Sequence, residues 1–424
     1  MSTRITVGAN GQLPRTAPCG GRVQQEVQMT STRIATGDVL AVLENIPTAM
    51  FDGCLFDGPY GLTSIGKRFG GKTSKPPKTD QGSSGVYGRT ARGFMGQTWD
   101  GDVPSVEVYQ ELLRVCKPGS WMLAFGHPRT FHRLMGNIED AGWELRDCLM
   151  WLYGQGFPKS HDLGKKLGDA TWNGYGFALK PAFEPIIMAM KPVDGSFANN
   201  ARTWRVAGLN IDGCRIGGAG HPYETTCVQG RYPANVLLDE QAAHLLDLQG
   251  PVTKNGKYRK TGQRDRRHKG RQLYGGGIGG GQQNAPDCYG DGGGISRFFY
   301  CAKANSRERN AGLDGFPVDR PDRRTGRGMG SWDEKGIAAQ QNHHPCVKPI
   351  RLTEWLARLI LPPERPESRK ILIPYCGSGS EMIGAMLAGW DEVWGIECEK
   401  QYVEIAKKRI QEARERQKQI ARAS

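Results

Sequence analysis

The run Lys370-Ile371-Leu372-Ile373-Pro374-Tyr375-Cys376-Gly377-Ser378-Gly379-Ser380 reads as a short buried strand that breaks at a glycine-spaced turn. A helical stretch through Leu387 follows, then a second apolar run, Val393-Trp394-Gly395-Ile396, closed by Glu397. Strand, Gly-x-Gly turn, helix, strand and terminal acid make one βαβ unit of the nucleotide-binding kind. The glycines let backbone approach a ligand, and the acid can accept hydrogen bonds from both ribose hydroxyls. Met382 stands where a pyrophosphate fingerprint has its third glycine. That favours an adenosine with a small tail, such as S-adenosylmethionine, over a dinucleotide.

Outward from this unit the chain keeps α/β punctuation. Thr36-Gly37-Asp38 caps a short helix, Phe51 to Phe56 reads as a strand, and a helical face from Pro104 ends at Lys117-Pro118-Gly119. Trp121 to Phe125, Asp147 to Tyr153 and Glu184 to Met190 read as strands, with a helix from Pro128 to Ala141 between the first two. A helix from Ile350 to Leu361 leads into the βαβ unit, and a long charged helix runs on from Lys400. Strand–helix alternation of this kind predicts an α/β fold with a mostly parallel sheet covered on both faces.

A second stretch carries chemistry: Cys54-Leu55-Phe56-Asp57-Gly58-Pro59-Tyr60-Gly61. An apolar run delivers a carboxylate, and a Gly-Pro turn sets an aromatic ring beside it. At the carboxyl edge of a sheet, an acceptor next to a stacking surface suits a planar base with an exocyclic amine. Asp-Gly and Gly-Pro are also ordinary turn formers, so the stretch gains its meaning from the rest of the chain.

Charge narrows the partner. The 424 residues carry a net +14, and the excess sits in two segments. Residues 66–98 hold seven Lys/Arg against Asp80, and residues 254–271 hold nine against Asp265, which together supply +14. Such localisation indicates a surface for a polyanion. Lys67, Arg68 and Lys72 in the first segment are candidate phosphate contacts. So are Lys257, Arg259, Lys260, Arg264, Arg266, Arg267, Lys269 and Arg271 in the second. Residues 62–98 read as a basic flexible loop over nucleic acid. Residues 1–30 read as a disordered arm, and 193–340 as a loop-rich region of interleaved Gly, Arg and aromatic residues.

Eleven scattered cysteines without a Cys-x-x-Cys pair are not a disulfide framework, and no apolar run has membrane length. A cytoplasmic protein with buried free thiols, no metal site and no membrane contact is expected. The matched spacings of Cys214/Cys227 and Cys288/Cys301 lack the close pairs of a zinc site.

Taken in order, these motifs resemble the circularly permuted β class of DNA amino-methyltransferases, of the phage and prophage type. That family's Asp-Pro-Pro-Tyr motif is matched by Asp57-Gly58-Pro59-Tyr60, and its cofactor motif by Ile373-Pro374-Tyr375-Cys376-Gly377-Ser378-Gly379. Its His-Pro-x-x-Lys-Pro element is matched by His344-Pro345-Cys346-Val347-Lys348-Pro349, and its Gly-Ile-Glu by Gly395-Ile396-Glu397. Phe125-Gly126, Arg129-Thr130-Phe131-His132 and Gly156-Phe157-Pro158-Lys159-Ser160 extend the likeness. The resemblance implies a Rossmann-like methyltransferase fold. Residues 31–192 would be its catalytic half, 193–340 an inserted target-recognition region and 341–424 its cofactor-binding half.

It further implies methyl transfer from S-adenosylmethionine to the amine of a base flipped from double-stranded DNA, adenine N6 before cytosine N4. Asp57 and the carbonyl of Gly58 would accept from the amine, with Pro59 fixing the turn and Tyr60 stacking on the base. Pro374, Tyr375, Cys376, Gly377, Ser378 and Gly379 would pass under the cofactor. Glu397 would hold its ribose, and Lys348-Pro349 would border its cleft. A homodimer and a partner nuclease are left open.

Two positions depart from the family. Gly58 replaces a proline, loosening the turn. Ile373 replaces an aspartate near the methionine tail, with Glu381 as the nearby substitute acceptor, so Ile373→Asp is expected to tighten cofactor binding. These departures also feed a rival reading, a DNA-binding protein that keeps the fold without the chemistry. A cytosine-C5 enzyme is disfavoured because Pro345-Cys346 precedes the cofactor motif. An RNA methyltransferase fits the basic insert less well, and a nicotinamide dehydrogenase lacks its third glycine.

Overall fold

The computed structural model describes residues 30–61, 103–154, 156, 160–217, 230–250, 294–302, 306–314, 342, 344 and 346–423. All of the expected arm at 1–30 except Thr30, the whole basic loop at 62–98 and the Lys254–Arg271 cluster lie outside the described residues, and so does every candidate phosphate contact in those two basic segments.

The described strands are β1 (Ser31–Thr36), β2 (Phe51–Phe56), β3 (Cys116–Phe125), β4 (Glu144–Leu152), β5 (Phe183–Met190), β6 (Val236–Asp239), β7 (Tyr300–Ala302), β8 (Lys370–Pro374) and β9 (Glu392–Glu397). They form one sheet in the order β1-β9-β8-β2-β3-β5-β4-β6-β7. Every pairing is parallel except the two made by β5. The helices bearing on the site are α1 (Val39–Leu43), α2 (Val106–Val115), α3 (Phe131–Asp140), α4 (Leu163–Leu167), α5 (Phe197–Trp204), α6 (Glu240–Gln249), α7 (Ile350–Leu359), α8 (Ser380–Ala388) and α9 (Lys400–Ala423).

Strand periodicity builds two cores. Leu55, Leu123, Phe125, Ile186, Met188, Ile371 and Ile373 point to one face, where they pack with Leu352, Leu356, Met382 and Ile383 of α7 and α8. Their neighbours Cys54, Phe56, Met122, Ala124, Ile187 and Leu372 point to the other, against Val39 and Leu43 of α1, Tyr109 and Leu112 of α2, and Leu134 and Ile138 of α3. Alternate residues are therefore buried on opposite sides, as a sheet covered on both faces requires. Each fully buried Leu or Ile contributes on the order of 2 kcal/mol. The result is a Rossmann-like α/β/α sandwich.

The central strands are pinned by one buried acid. Asp52 accepts from the backbone N of Lys370 at 2.8 Å and from Lys117 Nζ at 2.6 Å, and it pairs with Arg365. It ties β2 to β8 and to the base of β3, the register on which the site depends.

Three details depart from the sequence reading. Ser31–Thr36, to which the sequence reading assigns no element, is a strand on the edge of the sheet, directly before the expected Asp38 cap. Lys117-Pro118-Gly119 lies inside β3, so the chain passes from α2 into the strand without the expected stop. Pro118 is accommodated because Gly119 takes a positive φ of 74° and donates to the Lys191 carbonyl. The stretch from 193 to 340 supplies β6 and β7 to the same sheet.

Candidate active site

Three neighbouring parallel strands end at the same edge, and each delivers a motif there. β2 ends in Asp57-Gly58-Pro59-Tyr60, β8 in the Tyr375–Gly379 turn, and β9 in Glu397. This is the carboxyl edge, where open α/β sheets bind ligands.

The turn after β8 is bent by its backbone. Tyr375, Gly377 and Gly379 have φ of 56°, 48° and 83°. Glycine takes such angles freely, but a tyrosine there is strained and is held by its surroundings. The Tyr375 ring packs on Phe56 at 6.0 Å between centroids, and Cys376 N donates to the Ile396 carbonyl. Glu397 reaches back across the turn. Its Oε2 accepts from Gly377 N at 2.8 Å and its Oε1 from Glu399 N at 2.9 Å. Burial raises its pKa against those bonds. Oε1 also accepts from Cys398 Sγ at 3.6 Å, while Oε2 keeps acceptor capacity beyond its backbone bond, which a ribose hydroxyl can use.

Arg409 locks the turn from behind. The fully buried guanidinium donates to the Ser378 carbonyl at 2.6 Å, to Ser378 Oγ at 3.0 Å and to Ser380 Oγ at 3.1 Å. Asn342 Nδ2 adds a bond to Ser378 Oγ at 3.2 Å. Burial pulls Arg409 down to about 10, so it remains a cation at neutral pH.

The second motif is a charge cluster. Tyr60 donates its hydroxyl hydrogen to Asp57 Oδ1 at 2.6 Å. Lys348 Nζ lies 2.9 Å from Asp57 Oδ2, 2.9 Å from Glu184 Oε2 and 3.0 Å from the Tyr60 hydroxyl. It also sits over the Phe125 ring, 4.8 Å from the centroid. Burial works to lower the Lys348 pKa, but Asp57 and Glu184 outweigh it and the net shift is upward. For Tyr60, burial comes first and the two carboxylates add to it, so the phenol stays protonated.

His344 packs against the glycine turn and, edge to face, on Tyr402. A Cβ built on Gly377 would stand 2.6 Å from His344 Nε2, so glycine is required beside the ring. Burial lowers the imidazole to about 4 and keeps it neutral. Glu381, at the start of α8, is raised to about 7 by burial and by Asp57. Ile373 is fully buried with Leu55, Phe125, Cys376 and Met382, so an aspartate there would carry its carboxylate into hydrocarbon. A Cβ built on Gly58 would stand 3.4 Å from the rings of Phe56 and Tyr375, so the two turns are neighbours. Pro349 caps α7, and Pro59 and Pro374 lie in the turn after β2 and at the end of β8.

The structure thus brings Asp57, Gly58, Pro59, Tyr60 and Lys348 to one edge with Tyr375–Gly379 and Glu397. Sequence reasoning missed Glu184, which looked like the first residue of an apolar strand, and Arg409, which looked like part of a solvated helix. Arg409 had a signal, because Tyr402, Ala406 and Arg409 fall on one helical face. Among the described residues no cluster could hold a metal ion, and no helix is long and apolar enough to cross a membrane.

The profile of the N6/N4 methylase family, described as DNA methylase, matches residues 57–408. Among solved structures the chain is similar to M1.HpyAVI, with a TM-score of 0.38 and 11% identity over 89% of this chain and 98% of that one. It is similar to the PvuII DNA methyltransferase, cytosine-N4-specific, with a TM-score of 0.41 and 11% identity over 92% and 93% of the two chains. TTHA0409, a DNA modification methylase of Thermus thermophilus, gives a TM-score of 0.36 and 12% identity over 89% and 94%. No curated protein matches the chain.

Proposed function

The chain belongs to the N6/N4 family of DNA methylases, and on that premise we propose that it methylates the exocyclic amine of a base flipped from duplex DNA, adenine N6 in preference to cytosine N4. The observation that carries the reading is the meeting of an acid–aromatic turn and a glycine turn at adjacent strand tips, with Gly58 against Tyr375. S-adenosylmethionine supplies an electrophilic methyl group at this edge. The residues fit it: Glu397 has acceptor capacity for the ribose, and the left-handed turn from Tyr375 to Gly379 offers backbone for close approach.

The chain's own residues do the rest. Asp57 and the Gly58 carbonyl accept from the amine and direct its lone pair at the methyl group, while the Tyr60 ring stacks on the base. S-adenosylmethionine, held by Glu397 and the Tyr375–Gly379 turn, would supply the methyl group and leave as the thioether, and the surplus proton of the amine would pass by way of Asp57 to water. No covalent bond to the protein is needed, and positioning and electrostatics carry the rate. For the amine to reach Asp57, the Tyr60 hydroxyl must let go of it. Glu184 Oε2, 3.4 Å away, is the alternative acceptor. Glu184 also holds Lys348, so the cation stays in place when Asp57 turns to substrate. Lys348-Pro349 borders the cleft.

In this reading residues 31–192 and 341–424 are the two halves of the catalytic domain. Residues 193–340 read the target, and the Lys254–Arg271 cluster contacts phosphates. Sequencing of DNA from cells expressing the chain tests it. Modified adenine at a defined flanking context is the expected result, and modified cytosine would move the assignment to N4. Neither mark, with duplex binding retained, would leave a fold that binds without chemistry.

A further inference from the structure

The connection between β4 and β5 is the described segment that the site does not use. β3 is parallel to β2, β5 antiparallel to β3, and β4 antiparallel to β5. β4 therefore points the same way as β2, and the chain leaves it at the edge that carries Asp57. It returns along β5, whose second residue is Glu184.

The segment is built rather than slack. Asp162 caps α4 at Lys165 N and reaches Gly174 N, both at 3.3 Å, and Asp169 holds Thr171 N at 2.9 Å. Ser160 Oγ accepts from Phe177 N at 3.0 Å, and Leu163 N donates to the Tyr175 carbonyl at 2.9 Å. Trp172 and Tyr175 meet edge to face at 5.5 Å between centroids. This frame nonetheless turns large apolar groups outward: Trp172 is 44% exposed, Tyr175 59%, Phe177 52% and Leu179 92%. Single exposed apolar residues are unremarkable; several on one short capped segment mark an interaction surface. Asp162 and Asp169 are tied to backbone N–H groups of the segment, Lys180 donates to the Gly154 carbonyl, and Lys165 and Lys166 are exposed on α4. Outward rings beside the exposed Lys165 and Lys166, on a segment whose two carboxylates are engaged by its own backbone, match a stacked polyanion.

We infer that residues 160–180 form a stacking surface for duplex DNA, which packs aromatic rings against the base faces uncovered where the target base is extruded. The inference rests on the proposed DNA substrate.

The test measures three quantities on the full chain: affinity for labelled duplexes drawn from genomic DNA across a salt series, methyl incorporation, and affinity for S-adenosylmethionine. The W172A/Y175A/F177A variant should bind duplex at least about tenfold more weakly, since stacking on each ring is worth roughly that factor or more. Its salt slope and its affinity for S-adenosylmethionine should not change. W172F/Y175F keeps the rings and should bind within about threefold of the parent. K165A/K166A should instead flatten the salt slope by about 0.9 for each phosphate no longer neutralised. Parent-like binding by the triple variant overturns the inference, and so does a parent dimer in sedimentation that the triple variant loses. If the triple variant does not fold, Leu179→Asp reads the same surface: weaker duplex binding supports the inference and unchanged binding overturns it. A parent that binds duplex but methylates nothing would sink the proposed reaction alone, while weaker binding by the triple variant would still support the surface.

Discussion

Lys348 Nζ donates to the Tyr60 hydroxyl at 3.0 Å across 288 positions of sequence. The same ammonium pairs with Asp57 and Glu184. One buried cation thus balances two buried carboxylates at the point where the halves of the chain meet.

Lys348→Met would leave both carboxylates without that partner. Breaking a buried ion pair from one side destabilises by about 3–5 kcal/mol. Urea unfolding at pH 8 should show a loss of this order. A loss below about 1 kcal/mol would argue that Lys348 serves packing rather than charge.

Glu184→Gln keeps the shape but removes the anion that holds Lys348 and receives the Tyr60 hydroxyl. Methyl incorporation should fall about tenfold in kcat, less than the roughly 10²–10³ lost with a group that touches the reacting atoms, with KM for S-adenosylmethionine unchanged. Restoration by Glu184→Asp, in part, would mark the charge as the active feature. Unchanged kcat would leave Glu184 a bystander.

Glu381 and His344 give opposed pH dependences over one window. The Glu381 carboxyl is raised to about 7, so its contribution is complete below its unfolded value and is lost as pH rises through about 7. The His344 imidazole is lowered to about 4, so its contribution is complete above its unfolded value and is lost as pH falls through about 4. Each shift corresponds to roughly 3 kcal/mol, and between these limits the two slopes nearly cancel. Glu381→Gln should unmask the histidine slope, giving a variant whose stability climbs steeply from pH 4 to pH 7. A flat profile in chemical denaturation would contradict the assignment.

At Ile373 burial argues for a different outcome from the one expected from sequence. The side chain lies wholly inside an apolar cluster. Ile373→Asp should destabilise by several kcal/mol, in line with burying an unpaired carboxylate. Affinity for S-adenosylmethionine should not improve. A tighter complex with unchanged melting temperature would restore the sequence-based view.

At Gly58 an added Cβ meets only ordinary van der Waals contacts, 3.4 Å from Phe56 and Tyr375, and φ is not left-handed. Gly58→Ala should therefore stabilise by about 0.4–1 kcal/mol through the unfolded chain. Differential scanning calorimetry would show it, and a lowered melting temperature would mean the turn needs its freedom.

The central strands were legible because β2, β8 and β9 are apolar runs that end abruptly in turn residues. β1 was not, since Ser31-Thr32-Arg33-Ile34-Ala35-Thr36 has one large apolar residue and needs one only on its covered face. β6 and β7 were hidden by brevity: four and three residues carry no period. The site divides the same way. Asp57, Tyr60, Gly377 and Glu397 stand at ends of readable elements, where position alone suggests a role. Glu184 sits within a strand, and only the antiparallel course of β5 turns its carboxylate toward Lys348. No local pattern records that.

The pairing of β2 with β8 has a consequence for synthesis. Lys370 N reaches Asp52 Oδ2 over 318 positions, so β2 lacks one neighbour until almost the whole chain has left the ribosome. Through most of translation the nascent sheet presents an unpaired apolar edge, the kind of surface that slows folding and invites aggregation. A shortened message ending before β8 should yield insoluble product, and supplying residues 342–424 as a separate polypeptide should rescue it.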